Sequence, residues 1–312
     1  MRYSLISRFR GTLFGAFLGG SLTSGGGIQP QNYPDFGRMA ILGIQSLISL
    51  GRLDLDDWIA RQQQASLDLA PTDIIIATLP VALFFHENPI KLRKNLLRVL
   101  KIWDDDPVVR DGTLAVGYAI ALALNEKLDP QTLIPQTISF LQETPTSIPK
   151  KLLRIQNLLA QGAGLERVQA EFAGKEKLSN TIAIAFYCFL STLEDFRLAL
   201  LRATHNGDSK LQDATHSIAH TGAITAALSG AYNTTAGIPL NWRVLLLKKN
   251  SPASELTSFD EMLELVDALV AVWSGLYNNI RLDPKHLTEE GCAVSRVDLL
   301  SVYAAPRVIR LR

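Results

Sequence analysis

The residues best equipped for chemistry lie in one short polar stretch, Ala203-Thr204-His205-Asn206-Gly207-Asp208-Ser209. It offers an imidazole, an amide, a carboxylate and a hydroxyl in close succession, a set that can bind a polar ligand or contribute oxygens to a cation. Further on comes Thr221-Gly222-Ala223-Ile224-Thr225-Ala226-Ala227-Leu228-Ser229-Gly230-Ala231-Tyr232, a run built mainly from small residues. Gly222, Ala226 and Gly230 recur every fourth position, so on a helix they share one face and let another backbone approach closely. A polar loop beside a tightly packed helix is a sound place for a site.

Other constellations compete with it. His216 and His220 have the i, i+4 spacing that can hold a transition metal on a helix, with His205 and Asp213 nearby. The H-E-x-x-H pattern is absent, which favours a solvated or core-edge role for these histidines. Asp104-Asp105-Asp106 precedes Pro107 and reads as a helix cap with two further acids at the positive end of the dipole. Ser24-Gly25-Gly26-Gly27 could cradle a phosphate with backbone N–H groups. It lacks the lysine of a P-loop and follows no strand, so it does not read as a nucleoside-triphosphate site. Neither Cys188 nor Cys292 has a partner that marks it as a nucleophile, and no G-x-S-x-G elbow is present.

The elements that must position these residues are helices. Ser258-Phe259-Asp260-Glu261 is a capping box, after which Met262, Leu265, Val266, Leu269, Val272, Trp273 and Leu276 keep the helical period to Tyr277. Asp106-Pro107, Asp129-Pro130 and Asp283-Pro284 each predict a capped helix with proline in its first turn. Residues 37–50 predict an apolar helix stopped at Gly51, and Asp54 to Asp57 supply the acidic start of the next. Ile74-Ile75-Ile76 fits a short strand or a buried helix. Loops are expected at 24–33, 143–149, 162–164 and 248–254. The fold class is all-α, an orthogonal helical bundle: one continuous domain over 1–281, with 282–312 as a C-terminal extension packed on it.

Composition narrows the function. The 312 residues carry 31 Lys and Arg against 30 Asp and Glu, so no global charge points to nucleic acid or an anionic membrane. The longest apolar stretch, 74–85, is shorter than the roughly 20 residues a bilayer demands. With two cysteines there is no disulfide framework, and Cys188, inside an apolar run, belongs to the core. The expectation is a cytoplasmic protein without membrane or nucleic-acid partners.

The order and spacing of several motifs resemble the ADP-ribosylglycohydrolase family over 9–242. Arg10-Gly11-Thr12-Leu13-Phe14-Gly15-Ala16-Phe17-Leu18-Gly19-Gly20-Ser21-Leu22 resembles the family's first helix, G-x-L-x-G-x-x-x-G-D-x-L-G. Arg38-Met39-Ala40-Ile41-Leu42 resembles the helix after its T-D-D-T motif. His205 to Tyr232 resembles its second metal motif, H-S-G-D-S-D-S-T-G-A-I-x-G-x-L-x-G-A, and Gly237-Ile238-Pro239 with Trp242 matches the exit from that helix. The resemblance implies an all-helical cleft in which two magnesium ions, held by acids and hydroxyls, help cleave the glycosidic bond of an ADP-ribosylated substrate.

The chain departs from this pattern at the ligands. For T-D-D-T it has Pro34-Asp35-Phe36-Gly37, the first-helix acid falls at Gly20, and the second acid of the later motif falls at Lys210. Like charges about 4 Å apart in a partly buried site cost on the order of 4 kcal/mol, so a lysine there opposes a cation. About ten further residues, 211–220, intervene before the helix is expected to resume. The resemblance leaves Asp35 and Asp208 as candidate catalytic acids, and Asp35, Asp208 and Ser209 as ligands of a single weakened magnesium site. Gly25, Gly26, His205, Asn206 and Gly207 are the candidate ligand-binding residues. The implied function is a divergent, catalytically lapsed member, a pseudoenzyme that binds ADP-ribose, a related small molecule or an ADP-ribosylated protein. An active hydrolase with a single or altered metal, and a helical interaction protein, stay open as alternatives.

Overall fold

The computed structural model describes residues 4–21, 35–67, 69–103, 106–205, 212–247 and 259–275. Among them there is no strand. The helices are α1 (Leu5–Ser21), α2 (Asp35–Leu50), α3 (Leu55–Ala65), α4 (Pro71–Ala77), α5 (Leu79–Phe84), α6 (Pro89–Val99), α7 (Pro107–Leu124) and α8 (Leu133–Leu141). They continue as α9 (Ile148–Ala160), α10 (Leu165–Glu171), α11 (Lys177–Ser191), α12 (Phe196–Ala203), α13 (Gln212–Asn233), α14 (Leu240–Leu247) and α15 (Phe259–Ser274). The all-α expectation holds.

The architecture is organised around the antiparallel pair α1 and α13. Gly11 meets Gly230, Gly15 meets Ala226 and Gly19 meets Gly222, so two four-residue stripes face each other. A Cβ added to Gly15 would stand 2.0 Å from the carbonyl oxygen of Ala226, and one added to Gly19 would stand 2.2 Å from that of Gly222. No side chain fits between these backbones. The small-residue face of α13 therefore has the use its spacing implies, and its partner is the glycine face of α1.

Around this pair lie the longer core helices. Asp106 caps α7 by accepting from the Val108 N–H at 2.7 Å, as the Asp-Pro pattern predicts. α7 is long and apolar enough to cross a bilayer, yet 78% of it is buried inside the protein. Ile74-Ile75-Ile76 proves to be helix, within α4. Thr78 and Pro80 end it: the proline has no N–H to give the Ile76 carbonyl, and the Thr78 hydroxyl donates instead to the Ile75 carbonyl at 2.8 Å before α5 resumes. Gly51, at φ 64°, closes α2, and Asp54 caps α3 through the Asp57 N–H.

Two expectations on element boundaries are corrected. Asp129-Pro130 starts no helix. Asp129 instead holds a turn by accepting from the Gln131 N–H and the Thr132 hydroxyl, and α8 begins only at Leu133. Residues 212–220 are not an excursion before the α13 helix but its first two and a half turns, continuous with the small-residue face. Helix propensity across Gln212 to Ala219 carries the backbone straight on where no breaker intervenes.

α15 packs on α1 and α2. Its Met262, Val266 and Leu269 are fully buried, as the period predicts, and Asp267 forms a paired bridge with the Arg10 guanidinium. Ser258, the loops at 24–33 and 248–254, and the 282–312 extension lie outside the described residues.

Candidate functional site

The site is where the end of α1, the start of α2, α4 and α13 come together. α1 ends in Gly19-Gly20-Ser21, and α2 begins with Asp35-Phe36-Gly37. Phe36 is buried, and its ring lies over Gly20: a Cβ on that glycine would be 2.3 Å from Phe36 Cζ. The relationship is reciprocal. A Cβ on Gly37 would be 2.4 Å from Cε1 of Phe17. Each helix offers a glycine and fills the other's with a phenyl ring.

These are the positions at which the first-helix acid, the second acid and the second hydroxyl of the resembled motifs would stand. Gly20, Phe36 and Gly37 supply no oxygen from their side chains, and the space is occupied by aromatic carbon. These three positions therefore offer no side-chain oxygen to a hard cation, which takes several converging oxygens. Converging carboxylates repel one another unless an ion sits between them. Two buried phenyl rings need no ion, and each contributes on the order of 2 kcal/mol by leaving water.

Asp35, the remaining acid of the motif, is the first residue of α2. Its side chain is 52% exposed and lies 3.6 Å from the Arg38 guanidinium one turn on. Such an exposed pair contributes at most about 1 kcal/mol. The carboxylate also favours the positive end of α2, so a structural role accounts for it without a ligand.

His220 faces inward from α13, and its Nε2 lies 2.7 Å from Oδ1 of Asp73 on α4. Carboxylate oxygens accept, so the imidazole N–H donates. The other Asp73 oxygen accepts from the Ala70 N–H at 3.0 Å, which fixes the carboxylate at the start of α4. The Phe36 and His220 rings are 6.2 Å apart, centroid to centroid. One acid thus ties together the α4 terminus and the middle of α13, directly beside the aromatic interlock.

Of the residues named from sequence, Asp35 and His220 come to this region. His205 lies exposed just past α12, where its carbonyl accepts from the Gln169 side-chain amide at 2.9 Å. His216 is on α13, one turn before His220. No group of three or more metal-ligating side chains occurs among the described residues. Gly25, Gly26, Asn206, Gly207, Asp208 and Ser209 lie outside them, as do Asp104, Asp105 and Lys210.

Three residues of the site escaped the sequence reading: Phe17, Asp73 and Arg38. Asp73 carried a weak signal, as an acid at the third position of a proline-started helix. Nothing local could have joined it to a histidine 147 residues away. Phe17 lies one turn before Gly20, which would have placed them on one face had the aromatic at 36 been read against the glycine.

Two titratable groups are explained by packing alone. Burial pushes the Cys188 thiol up to about 12, which makes it a core residue and no nucleophile. Burial pushes His86 down to about 4, with Nδ1 held by the Leu83 carbonyl at 2.7 Å and the ring set between Phe9 and Trp273.

Two comparisons with known proteins cover most of the chain. A family model described as ADP-ribosylglycohydrolase matches residues 29–279. A solved structure described as an "ADP-ribosylglycohydrolase-related protein complex" is similar with a TM-score of 0.60 and 17% identity, over 86% of this chain and 99% of that one. At that identity the likeness concerns the fold alone. No curated protein matches the sequence.

Proposed function

This chain belongs to the ADP-ribosylglycohydrolase family, and from that premise we propose that it is a member which binds ADP-ribose, or a protein carrying it, without running the two-cation hydrolysis. The observation that carries this reading is the reciprocal packing of Phe36 on Gly20 and Phe17 on Gly37. It places aromatic contacts at three ligand positions of the resembled motifs. Lys210, in place of a further acid, points the same way from sequence. The pairing of α1 and α13 through their glycine faces supports a retained helical framework. Loss of chemistry with retention of shape is what a ligand-binding descendant requires.

The test is calorimetry with ADP-ribose, in magnesium and in a chelator, followed by an assay on ADP-ribosyl-arginine. ADP-ribose should bind with the same affinity in both buffers, and no ADP-ribose should be released from the substrate. A magnesium-dependent release that disappears in Asp208→Ala would overturn the reading. It would favour the alternative of a single altered site through Asp35, Asp208 and Ser209. Binding of neither magnesium nor ADP-ribose would leave the helical surface, and an interaction role, as the function.

A further inference from the structure

A second opening lies at the far end of α2. Sixteen helical residues separate it from the site above, and at 1.5 Å per residue Leu50 is about 22 Å from Asp35. The cleft, about 610 Å³, is walled by the link Arg52-Leu53-Asp54-Leu55-Asp56, by Phe85 after α5, and by Asn95 and Arg98 of α6. That volume is in the range of small-molecule sites.

Its charges are unevenly committed. Asp54 is spent on structure: one oxygen accepts from the Asp57 N–H at 3.3 Å, and the other faces Arg52 at 3.4 Å. Asp56 stands exposed in the first turn of α3, where the helix dipole favours it. Arg98 is exposed and has no carboxylate within ion-pair distance among the described residues. Among the described residues its guanidinium donates to the Asn95 side-chain oxygen, at 3.4 Å. Asn95 is buried and donates its own amide N–H back to the Lys91 carbonyl at 2.9 Å, so its oxygen is held toward Arg98. The position of Arg98 in the last turn of α6 suits the helix dipole, but that leaves the donors of its fork unused. Leu53, Leu55 and Phe85 supply apolar wall.

We propose that this cleft is a separate binding site for a small amphipathic anion: a carboxylate or phosphate monoester on a ring or short apolar chain. Arg98 receives the anionic group, held in place by Asn95, while Phe85 and the two leucines cover the apolar body. Asp56, at the rim, sets an upper limit on the ligand's negative charge.

Titration of the full chain with phenyl phosphate and with benzoate, followed by ligand-observed NMR, tests this. Saturable binding is expected in wild type, at least tenfold weaker in Arg98→Gln and two- to fivefold tighter in Asp56→Asn. Arg98→Lys, which keeps the charge and loses the fork, should fall between, and it serves if the glutamine variant misfolds. Preference for one probe identifies the anionic group. Equal binding by wild type and Arg98→Gln, or no saturable binding of either probe, would overturn the proposal. Displacement of the probe by ADP-ribose would overturn the claim that the site is separate. Neither result would touch the reading of the α1–α2 site, which its own magnesium and ADP-ribose titrations decide.

Discussion

Phe36 and Gly20 are a matched pair: the ring of one occupies the space in which any side chain on the other would have to begin, with Cζ 2.3 Å from the place of a Cβ. A helix terminus that would need several converging acids in a cation-using relative is here sealed by carbon. Neither half makes sense alone. A phenylalanine at 36 with an aspartate at 20 would bury a carboxylate against a ring, and a glycine at 20 without the ring would leave a void.

The first prediction concerns that pairing. Gly20→Ala should cost about 1–3 kcal/mol by overpacking, and Phe36→Ala about 3–5 kcal/mol by leaving a cavity. In the double variant the methyl enters the vacated space, so the sum should not be reached. A coupling of about 1 kcal/mol or more in urea denaturation is expected; strict additivity would show that the two residues do not share the space.

The α1–α13 stripe makes a sharper claim. Gly15→Ala places a methyl 2.0 Å from the Ala226 carbonyl oxygen, and the helices must separate to admit it. A loss of about 3 kcal/mol or more is expected, against at most about 0.5 kcal/mol for Gly164→Ala, where nothing lies within 4 Å. Thermal denaturation of the two single variants compares them directly. Similar melting temperatures would contradict the close approach.

Asp73 serves two partners, and its removal should reflect both. Asp73→Ala removes the acceptor of both the Ala70 N–H and the His220 Nε2–H, with an expected loss of about 2–3 kcal/mol. His220→Ala removes the contact to Asp73 and leaves the Ala70 cap in place. A double-mutant cycle should therefore return a coupling smaller than the whole Asp73 effect, and equality of the two would mean that the cap contributes nothing.

His86 gives the chain a pH dependence with a definite sign. Its folded value, about 4, lies below the ordinary 6.5, so between those two values the unfolded chain binds the extra proton. The contribution is fully present above pH 6.5 and is lost as pH falls toward 4, at a slope of up to about 1.4 kcal/mol per pH unit. His86→Phe should flatten the stability profile in that window while leaving it unchanged at higher pH. An unaltered slope in chemical denaturation from pH 4.5 to 7 would reject burial of the neutral ring.

Much of the fold was legible before any coordinates. Asp106-Pro107, Asp54 and Gly51 specify helix ends because caps and breakers act on backbone groups within a few residues of themselves. The same locality misleads at Asp129-Pro130, where an identical dipeptide closes a turn. Residues 212–220 misled for the converse reason: extra length relative to a motif has no backbone signature, and a sequence free of breakers simply stays helical.

The site was half legible. The loss of acids at Gly20, Phe36 and Lys210 is plain in the order of residues, and so is the face formed by Gly222, Ala226 and Gly230. What those residues meet is decided by other helices, from 20 to about 220 positions away in the chain. The complement of the small face is α1, the filler of Gly37 is Phe17, and the partner of His220 is Asp73. Residue types and local spacing determined the helices and most of their ends, since these depend on interactions of short reach. Only the tertiary structure decided that the vacated positions close on one another as a glycine–phenyl interlock, because close packing is settled by which surfaces arrive together.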